Sequence, residues 1–365
     1  MPAKTILAAL LMFLAAAVAR AQTTPFTITN NTKGKFQDSQ IYWAIIGRSG
    51  DGFVHVDAGG NLIPMTAADN DGPGHLSHNG QHYANYFHTV AEAKSVPVPK
   101  LGSSRMFISL GSPMYIRVVG NGYAGADLNN PNDPNARVVF DFVEFTIDDR
   151  GFHGNTTQVD AFAIPLQIEL TDGSGQIRRA GHGESRAALF DAFKRETPPE
   201  FRSCVREPYR IVAPASADFA KGRAHARYFD SYIEEVWREF AQEKKTPGGW
   251  TGKVVNGVLT FSGPNGKTYQ SPKPTSEEAF RGSGVLATNP AVCAAIHRHV
   301  LGDPADWMNP AKYYLRAPAD FYAKFWHDHS VDKKAYGFCY DDFNQQASFI
   351  EAARPCSLNV VVGWD

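Results

Sequence analysis

The sequence lacks a long apolar run beyond residue 18, and it lacks an excess of charge of either sign. Its 365 residues carry 36 Lys and Arg against 37 Asp and Glu, which leaves a formal net charge of −1. A bilayer span needs roughly 20 apolar residues, and a chain that binds nucleic acid or anionic lipid usually shows a basic surface. We therefore expect no membrane-embedded mature protein and no nucleic-acid partner, but an uncharged one.

Cysteine is also scarce, and all four cysteines lie in the second half of the chain, at Cys204, Cys293, Cys339 and Cys356. None forms a C-x-x-C pair, so the spacing predicts no zinc site. An even number in an exported chain predicts two disulfides, for which three connectivities are possible. We favour Cys339 with Cys356, in or beside consecutive strand-like segments, and Cys204 with Cys293, which flank a helical region.

The amino terminus has the pattern of a secretory signal peptide. Lys4 precedes an apolar run over residues 6–18, which is followed by the small-x-small sequence ARA. The run is shorter than a bilayer span, so a cleaved signal is favoured over an uncleaved anchor. We expect removal of residues 1–21 by cleavage between Ala21 and Gln22, and a secreted, soluble protein that is a monomer by default.

The first half of the mature chain has the pattern of an antiparallel β domain. Short runs rich in β-branched and aromatic residues alternate with clusters of Gly, Asn, Asp and Pro over residues 26–170. This spacing is typical of a sandwich or barrel. The runs are FTITN, IYWAII, RMFISL, MYIRVV, RVVFDFVEFTID and AFAIPLQIEL.

The periodicity changes after residue 184 and indicates a mixed α/β region. KVVNGVLTF predicts a hairpin with a two-residue Asn-Gly turn. A segment of about 140 residues is large enough to have its own core. Three stretches predict amphipathic or buried helices, namely RAALFDAFKRE, PAVCAAIHRHV and the segment that places Phe229, Ile233, Val236, Trp237 and Phe240 on one face.

The last segment returns to strand-like sequence in KAYGFCYDDF and SLNVVVGW. A terminal strand is most readily stabilised by joining an existing sheet. We therefore predict a mainly β fold with an α/β part: a sandwich or barrel domain of residues 22–184, completed by residues 326–365, and a mixed α/β domain of residues 185–325. The two domains would face each other across a cleft, a common place for a ligand site.

Two acids interrupt the apolar pattern in FVEFTIDDRGFHGNTTQVDAF, residues 142–162. Alternation places Glu144 and Thr146 on one face of a strand whose other face is apolar. If the chain turns around Phe152, Glu144 and Asp160 project from the same face of neighbouring strands. Two solvated acids on an open sheet are the alternative, but facing like charges destabilise a sheet. The pair therefore favours a catalytic role.

Paired carboxyl groups suit glycoside hydrolysis. One carboxyl group protonates the departing oxygen, and the other either attacks the sugar or activates water. A separation of roughly 5 to 5.5 Å is typical of retaining enzymes and one of roughly 6.5 to 9.5 Å of inverting enzymes. The residues by themselves leave both outcomes open.

Several separated motifs give a more specific indication. They are EFTID followed by NTTQVDAFAIPL, then GSGVLA, CAAIHRHV, FWHDHSVDKKAYGFCYDD and the closing VVVGW. In this order they resemble glycoside hydrolase family 64, the thaumatin-like endo-1,3-β-glucanases of the laminaripentaose-producing type. The resemblance covers nearly the whole mature chain, from ITNNT at residue 28 onwards.

The resemblance implies a thaumatin-like β domain and an α/β domain around a wide groove that binds 1,3-β-glucan, as in laminarin, curdlan or fungal wall glucan. It implies inverting hydrolysis to short oligosaccharides, with Glu144 as general acid and Asp160, sixteen residues later, as general base. We expect no cofactor and no metal. The substrate contacts that the resemblance suggests are Thr146 and Thr157, with the neighbouring positions Asp148 and His153.

Other polar residues have weaker interpretations. In FWHDHS, His327 and His329 would share one face of a strand and could hold a metal, but no third ligand is evident, so a groove wall or turn is preferred. Asp341 and Asp342 are expected to cap or line the cleft. Ser283 lacks the strand-turn-helix setting of a nucleophile elbow and is interpreted as part of a loop.

A non-catalytic thaumatin-like protein that binds 1,3-β-glucan is the alternative function. Aromatic faces stack on sugars, and the candidates Tyr42, Trp43, Tyr83, Tyr86 and Phe87 suit either binding or a core. Aromatic residues in strand-like runs are more often core residues. Retention of both acids favours the enzyme.

Overall fold

The computed structural model describes residues 23–365, so the predicted signal segment, residues 1–21, lies outside the described residues. Strands dominate this part of the chain. The strands are β1 (Thr24–Asn31), β2 (Ile41–Ser49), β3 (Gly52–Val56), β4 (Leu62–Pro64), β5 (Leu76–His78), β6 (Gln81–Tyr83), β7 (His88–Thr89), β8 (Ser95–Val98), β9 (Leu101–Leu110), β10 (Arg117–Val119), β11 (Gly122–Ala124), β12 (Val139–Asp148), β13 (Gly151–Thr156), β14 (Ala161–Phe162), β15 (Leu166–Asp172), β16 (Ile177–Gly181), β17 (Val205–Arg206), β18 (Arg210–Val212), β19 (Lys244–Thr246), β20 (Trp250–Val255), β21 (Val258–Ser262), β22 (Thr268–Pro272), β23 (Phe349–Ala352) and β24 (Pro355–Gly363).

Two large sheets share one hydrophobic core. The smaller sheet has the strand order β16-β15-β24-β1-β8, and the larger has the order β23-β13-β12-β9-β2-β3-β4, with β7 paired to β2. Phe26 of the smaller sheet packs edge-on against Phe145 of the larger one, with ring centroids 4.9 Å apart. The predicted mainly β fold is confirmed. One pairing departs from the antiparallel expectation, because β1 and β24 run parallel.

The α/β region forms around a second core. Its helices are α1 (Arg186–Glu196), α2 (Asp230–Glu239), α3 (Ser276–Arg281), α4 (Pro290–His297) and α5 (Phe321–Asp328). The three predicted helices are confirmed as α1, α2 and α4, and the predicted Asn-Gly hairpin is β20–β21. A four-stranded sheet of order β19-β20-β21-β22 completes the region. Within residues 23–365, no helix is both long enough and apolar enough to span a bilayer.

Of the two strands predicted for the last segment, one is confirmed and the other is wrong. SLNVVVGW lies in β24, between β1 and β15. KAYGFCYDDF, residues 334–343, is not a strand but a loop folded around the fully buried Asp341. One oxygen of this carboxylate accepts from Gly337 N at 3.0 Å, four residues earlier. This local bond closes a compact turn, which prevents an extended strand.

The two favoured disulfide pairings are wrong, because all four cysteines have free thiols in the structure. Cys356 is exposed on β24, whereas Cys339 packs against the α/β core, so these two residues belong to different layers. Cys204 and Cys293 are both buried in the α/β core without forming a bond. The thiol of Cys293 lies beside that of Cys339 instead. A hydrogen bond between these two thiols, together with burial, raises the pKa of Cys293.

Candidate active site

The open face of the larger sheet carries the first acid. Along β12, Val143 and Phe145 are buried in the core shared by the two sheets, at 0% and 3% exposure. Glu144 and Thr146 alternate with them and are half-buried on the other face. Alternation of side chains along the strand therefore places Glu144 on the face opposite the core, as the sequence predicted.

The register of the β12–β13 hairpin differs from the prediction. The strands pair Asp148 with Gly151 and Glu144 with Asn155, so the chain turns at residues 149–150 rather than at Phe152. The side chain of Asp148 accepts from Arg150 N at 2.8 Å, a local bond that favours a tight turn. Since β13 ends at Thr156, the expectation that Asp160 lies on the facing strand is wrong.

Asp160 reaches the site on an irregular segment after β13. Ala213 N, at the end of β18, donates to Asp160 O at 2.9 Å. Further along the segment, Ala163 N and Ile164 N both donate to Asp141 Oδ2 at 2.7 Å. The backbone around Asp160 is thus held from both sides, by the β12 strand and by the α/β region.

Glu144 and Asp160 line one cavity of about 750 Å³ on the open face of the sheet. It adjoins a second cavity of about 1080 Å³, and Asn155 and Phe349 line both. We call these two adjoining cavities the groove. Further residues lining the first cavity include Phe53, Arg105, Tyr123, Phe142, Thr146, His153 and Thr157, and the second is lined by Tyr336 and Asp342 among others.

Glu144 is surrounded by hydrogen-bond donors. Arg105 Nε and Nη2 lie 3.2 and 3.1 Å from Glu144 Oε1. Asn155 Nδ2 lies 3.3 Å from the other oxygen, Oε2. The guanidinium group of Arg105 also lies over the ring of Phe142, 4.5 Å from its centroid. These contacts fix the orientation of the Glu144 carboxyl group.

Asp160 has different surroundings. Its side chain is open to the groove, but the concave wall displaces water around it, and this desolvation raises the pKa of Asp160. The cation of Arg105 acts in the opposite direction, and the negative charge of Glu144 raises the pKa further. The two carboxyl groups therefore interact electrostatically within one groove.

Three of the four predicted substrate contacts lie in the same groove as the acids. Thr146 Oγ1 accepts from Ser103 N at 3.1 Å. His153 pairs with Thr146 across the hairpin, and its Nδ1 lies 3.2 Å from Glu351 Oε2. Thr157 is buried at 6% exposure and lies just beyond β13. All three line the first cavity.

The fourth, Asp148, is placed elsewhere. Its Oδ2 accepts from two nitrogens of Arg150, at 3.0 Å from Nε and 2.8 Å from Nη2. Asp148 lines a small separate cavity at the hairpin turn, and its Oδ1 lies 3.6 Å from His153 Nε2. The arginine holds the pKa of Asp148 below its usual range.

Sequence reasoning missed the partners of Glu144 on neighbouring strands. Arg105 of β9, Asn155 of β13 and Phe349 of β23 form one row with Glu144 across four strands. Asn155 could have been found from the local turn, because it mirrors Glu144 about residues 149–150. Arg105 and Phe349 are distant in sequence, and their register depends on the order of the strands in the sheet.

Three of the five aromatic candidates for sugar stacking are buried, and Tyr42 and Phe87 are half-buried. Trp43, Tyr83 and Tyr86 are 0%, 8% and 6% exposed. None of the five candidates lines either cavity of the groove. Aromatic surface in the groove comes instead from Tyr123 and from Phe349, which is 49% exposed.

His327 and His329 do not share a strand face, because α5 contains His327 and ends just before His329. His327 Nε2 lies 3.0 Å from Asp341 Oδ2, whereas the two nitrogens of His329 lie 2.7 and 2.9 Å from Glu184 and Glu196. Among residues 23–365, no group of three or more His, Cys, Asp or Glu side chains is arranged to hold a metal ion.

The neighbouring aspartates and Ser283 have separate positions. Asp341 is fully buried and forms an ion pair with Arg298 Nη2 at 3.0 Å. Asp342 lines the second cavity of the groove. Both residues lie in a loop, and the strand predicted before them is absent from the described residues 334–343. Ser283 lies in a loop ahead of a short 3-10 helix, as predicted.

Two interacting carboxyl groups lie in a groove on an open sheet, and aromatic rings line its walls. This is the arrangement of a glycoside hydrolase that acts on a polysaccharide. A family model described as "Beta-1,3-glucanase", that of glycoside hydrolase family 64, matches residues 22–362. The chain belongs to this family, and the resemblance seen in its motifs is confirmed.

Individual relatives agree with this assignment. A β-1,3-glucanase domain from Clostridium beijerinckii is 40% identical, with a TM-score of 0.87 over 94% of this chain and 98% of that one. A laminaripentaose-producing β-1,3-glucanase from Paenibacillus barengoltzii, solved with laminarihexaose, is 39% identical, with a TM-score of 0.80 over 94% and 75% of the two chains. A glucan endo-1,3-beta-glucosidase from Arthrobacter sp. (strain YCWD3) is 25% identical over 95% of this chain, which spans 66% of that protein.

Proposed function

We propose that this protein is an endo-acting 1,3-β-glucanase that cleaves the polymer to short oligosaccharides with inversion of configuration. The observation that carries the proposal is the placement of Glu144 and Asp160 in one groove, where their charges interact. The groove is open and continues into a second cavity past Asn155 and Phe349, which suits a long chain rather than a disaccharide.

The proposed mechanism uses the two carboxyl groups in complementary roles. Glu144, oriented by Arg105 and Asn155, protonates the glycosidic oxygen as the bond to the anomeric carbon breaks. Asp160 takes a proton from a water molecule that attacks the opposite face of that carbon. The product is an α-anomer, and the protons return to their starting positions through solvent. Exposed rings such as Phe349 are placed to stack on the sugars.

Purified protein incubated with curdlan or laminarin tests the activity. We expect reducing ends to accumulate together with short oligosaccharides, because an open groove binds internal segments of the polymer. A 1,4-linked glucan serves as the control and should be cut far more slowly. Binding of curdlan without release of reducing ends would favour the alternative, a non-catalytic glucan-binding protein.

Proton NMR of the first products tests the stereochemistry. Inversion of a β-linkage gives the α-anomer before mutarotation. If the β-anomer appears first, Asp160 is a nucleophile rather than a base, and the inverting mechanism is wrong while the glucanase activity stands.

We further propose the thaumatin-like organisation and export. The β domain would comprise residues 22–184 and 326–365, and the α/β domain residues 185–325, with the groove between them. Ser216 of the α/β part lines the first cavity beside Asp160, which supports this arrangement. The basic start, apolar run and ARA sequence support export. N-terminal sequencing of protein recovered from the medium tests it, since an intact Met1 contradicts cleavage near Gln22.

A further inference from the structure

We propose that Arg105 is a positioning residue that holds the carboxyl group of Glu144 in place and keeps Asp160 ionised, so that its loss narrows the pH range of the reaction on the acidic side. The inference rests on the proposed function, because it assigns a role in that reaction. It concerns a residue of β9 that no sequence motif indicated.

The geometry of Arg105 is that of a fixed side chain. Two of its nitrogens, Nε and Nη2, contact the same oxygen of Glu144 at 3.2 and 3.1 Å. Its planar group packs over Phe142 at 4.5 Å from the ring centroid. The two residues are also direct neighbours in the β9–β12 register. Strand pairing and ring packing thus hold the cation at the oxygen that it contacts.

The charge of Arg105 also reaches the second acid. It lowers the pKa of Asp160, against the desolvation and the Glu144 charge that raise it. A nearby cation favours the ionised form of a carboxyl group by stabilising its negative charge. One arginine therefore acts on both members of the pair, on Glu144 by contact and on Asp160 through space.

Other titratable groups line the same cavity. His153 and Asp127 are among them, and His153 Nδ1 lies 3.2 Å from Glu351 Oε2, but neither is among the groups found to influence Asp160. Tyr123, from β11, and Tyr336, from the loop after α5, both interact with Glu144. Burial raises the pKa of both phenols, so neither carries charge in the range where carboxyl groups titrate. Asn155 is neutral. Arg105 is thus the cation that acts on both acids among the groups found to influence Asp160.

Loss of this cation moves the pH–rate profile in a defined direction. The base must be ionised for activity, so easier protonation of Asp160 moves the acidic limb to higher pH. Loss of Arg105 is therefore expected to show on the acidic limb of the profile.

The experiment compares pH profiles of kcat/KM on laminarin for the wild type, Arg105→Met, Arg105→Lys and the control Arg227→Met. Methionine keeps a long apolar side chain over Phe142 without the charge. Arg227 forms an ion pair with Asp230, at 2.7 Å, that is exposed and distant from the groove cavities. We expect Arg105→Met to move the acidic limb to higher pH, Arg105→Lys to move it less, and Arg227→Met to leave it unchanged.

A lower rate for Arg105→Met with an unmoved acidic limb would overturn the inference, because it would show a purely structural role. Carbon-13 NMR titration of Asp160 in substrate-free protein gives a readout besides activity. A higher titration midpoint for Asp160 in Arg105→Met supports the inference, and an unchanged midpoint overturns it. If the wild type does not cleave 1,3-β-glucan, the proposed function fails, while the titration still decides the effect of Arg105 on Asp160.

Discussion

Glu144 and Asp160 differ in what surrounds them, and this difference suits two chemical roles. Three nitrogen donors, from Arg105 and Asn155, hold the carboxyl group of Glu144 in one orientation. Asp160 is open to the groove, and the backbone of its segment is held by hydrogen bonds from Ala213 N to Asp160 O and from Ala163 N to Asp141. A general acid needs a fixed geometry toward the glycosidic oxygen, and a base needs access to water.

We predict that Glu144→Gln and Asp160→Asn each lower the rate of glucan cleavage by about 10² to 10⁴-fold, the usual worth of positioned acid or base catalysis. The amides keep the shape of the acids but cannot exchange the proton. Reducing-end assays on laminarin measure the loss, and a curdlan pull-down should show binding retained.

Two exposed acids outside the groove provide matched controls for these substitutions. Glu243→Gln removes a distant pair with Lys253, 3.9 Å away, and Asp51→Asn changes a residue in the β2–β3 turn. Both should keep full activity. Glu278 is unsuitable as a control, because its carboxylate closes the capping box of α3. Full activity in both Glu144→Gln and Asp160→Asn would show that the two carboxylates are solvated surface groups without a catalytic role.

Asp141 is predicted to make stability depend on pH. Burial raises its pKa to about 7, against two backbone N–H groups and the nearby Arg210 and Arg186. A folded-state pKa above the unfolded value means that the folded protein binds more protons between the two values. Stability then falls as pH rises from about 4 to 7, by about 1 kcal/mol per pH unit from this group.

Urea unfolding of the wild type and Asp141→Asn at pH 4, 5, 6 and 7 measures this contribution. The wild type should lose stability relative to the variant as pH rises, because asparagine does not titrate. Parallel stability profiles for the two proteins would show that Asp141 does not titrate in this range.

At the scale of elements, the β12–β13 hairpin is the framework of the site. It carries Glu144 and Thr146 on one strand and His153 and Asn155 on the other, all facing the groove. Gly154 lies between the last two, on the core face. A Cβ at that position would lie 2.8 Å from Glu144 O and 2.6 Å from the ring of Phe152. The hairpin therefore needs a glycine there to keep its two strands close.

Gly154→Ala is predicted to destabilise the protein by roughly 1 to 3 kcal/mol, the range for overpacking of a filled core. It should also lower activity, because the added methyl group pushes against the backbone of Glu144. Thermal unfolding and laminarin assays measure the two effects. Gly52→Ala, in β3, should change neither, because a Cβ added there would meet no atom within 4 Å. Equal behaviour of the two variants would contradict the packing argument.

At the scale of the whole molecule, the C-terminal strand joins the two ends of the β region. β24 lies between β1, which it pairs in parallel, and β15, which it pairs antiparallel. Leu358, Val360 and Val362 of this strand are fully buried in the core shared by the two sheets. Without β24, the smaller sheet lacks the strand that joins β1 to β15. The core face of the larger sheet then loses the side chains that cover it.

Deletion of residues 355–365 is predicted to abolish folding, because it removes a central strand with its hydrogen bonds to both neighbours. Expression in the soluble fraction and circular dichroism measure this. Deletion of Asp365 alone removes one acceptor for Ala187 N, at 3.0 Å, and should cost about 1 kcal/mol at most. A folded and active protein after the longer deletion would show that β1 and β15 can pair or close the core without β24.

The sequence by itself determined several helices and strands and the face of β12 on which Glu144 lies. Alternation along a strand and the 3.6-residue period of a helix are set by backbone geometry, so Glu144, Thr146 and the helices α1, α2 and α4 could be predicted from residue order. The separated motifs also indicated the family, which the family model confirms.

Only the tertiary structure decided what surrounds the two acids. Arg105 and Phe349 come from strands distant in sequence, and their places beside Glu144 and Asn155 follow from the order of strands in the sheet. Asp160 reaches the groove on an irregular segment, which has no periodicity to indicate its direction. Long-range hydrogen bonds, such as the one from Ala213 N to Asp160 O, place that segment, and they form only when the two parts of the molecule pack together.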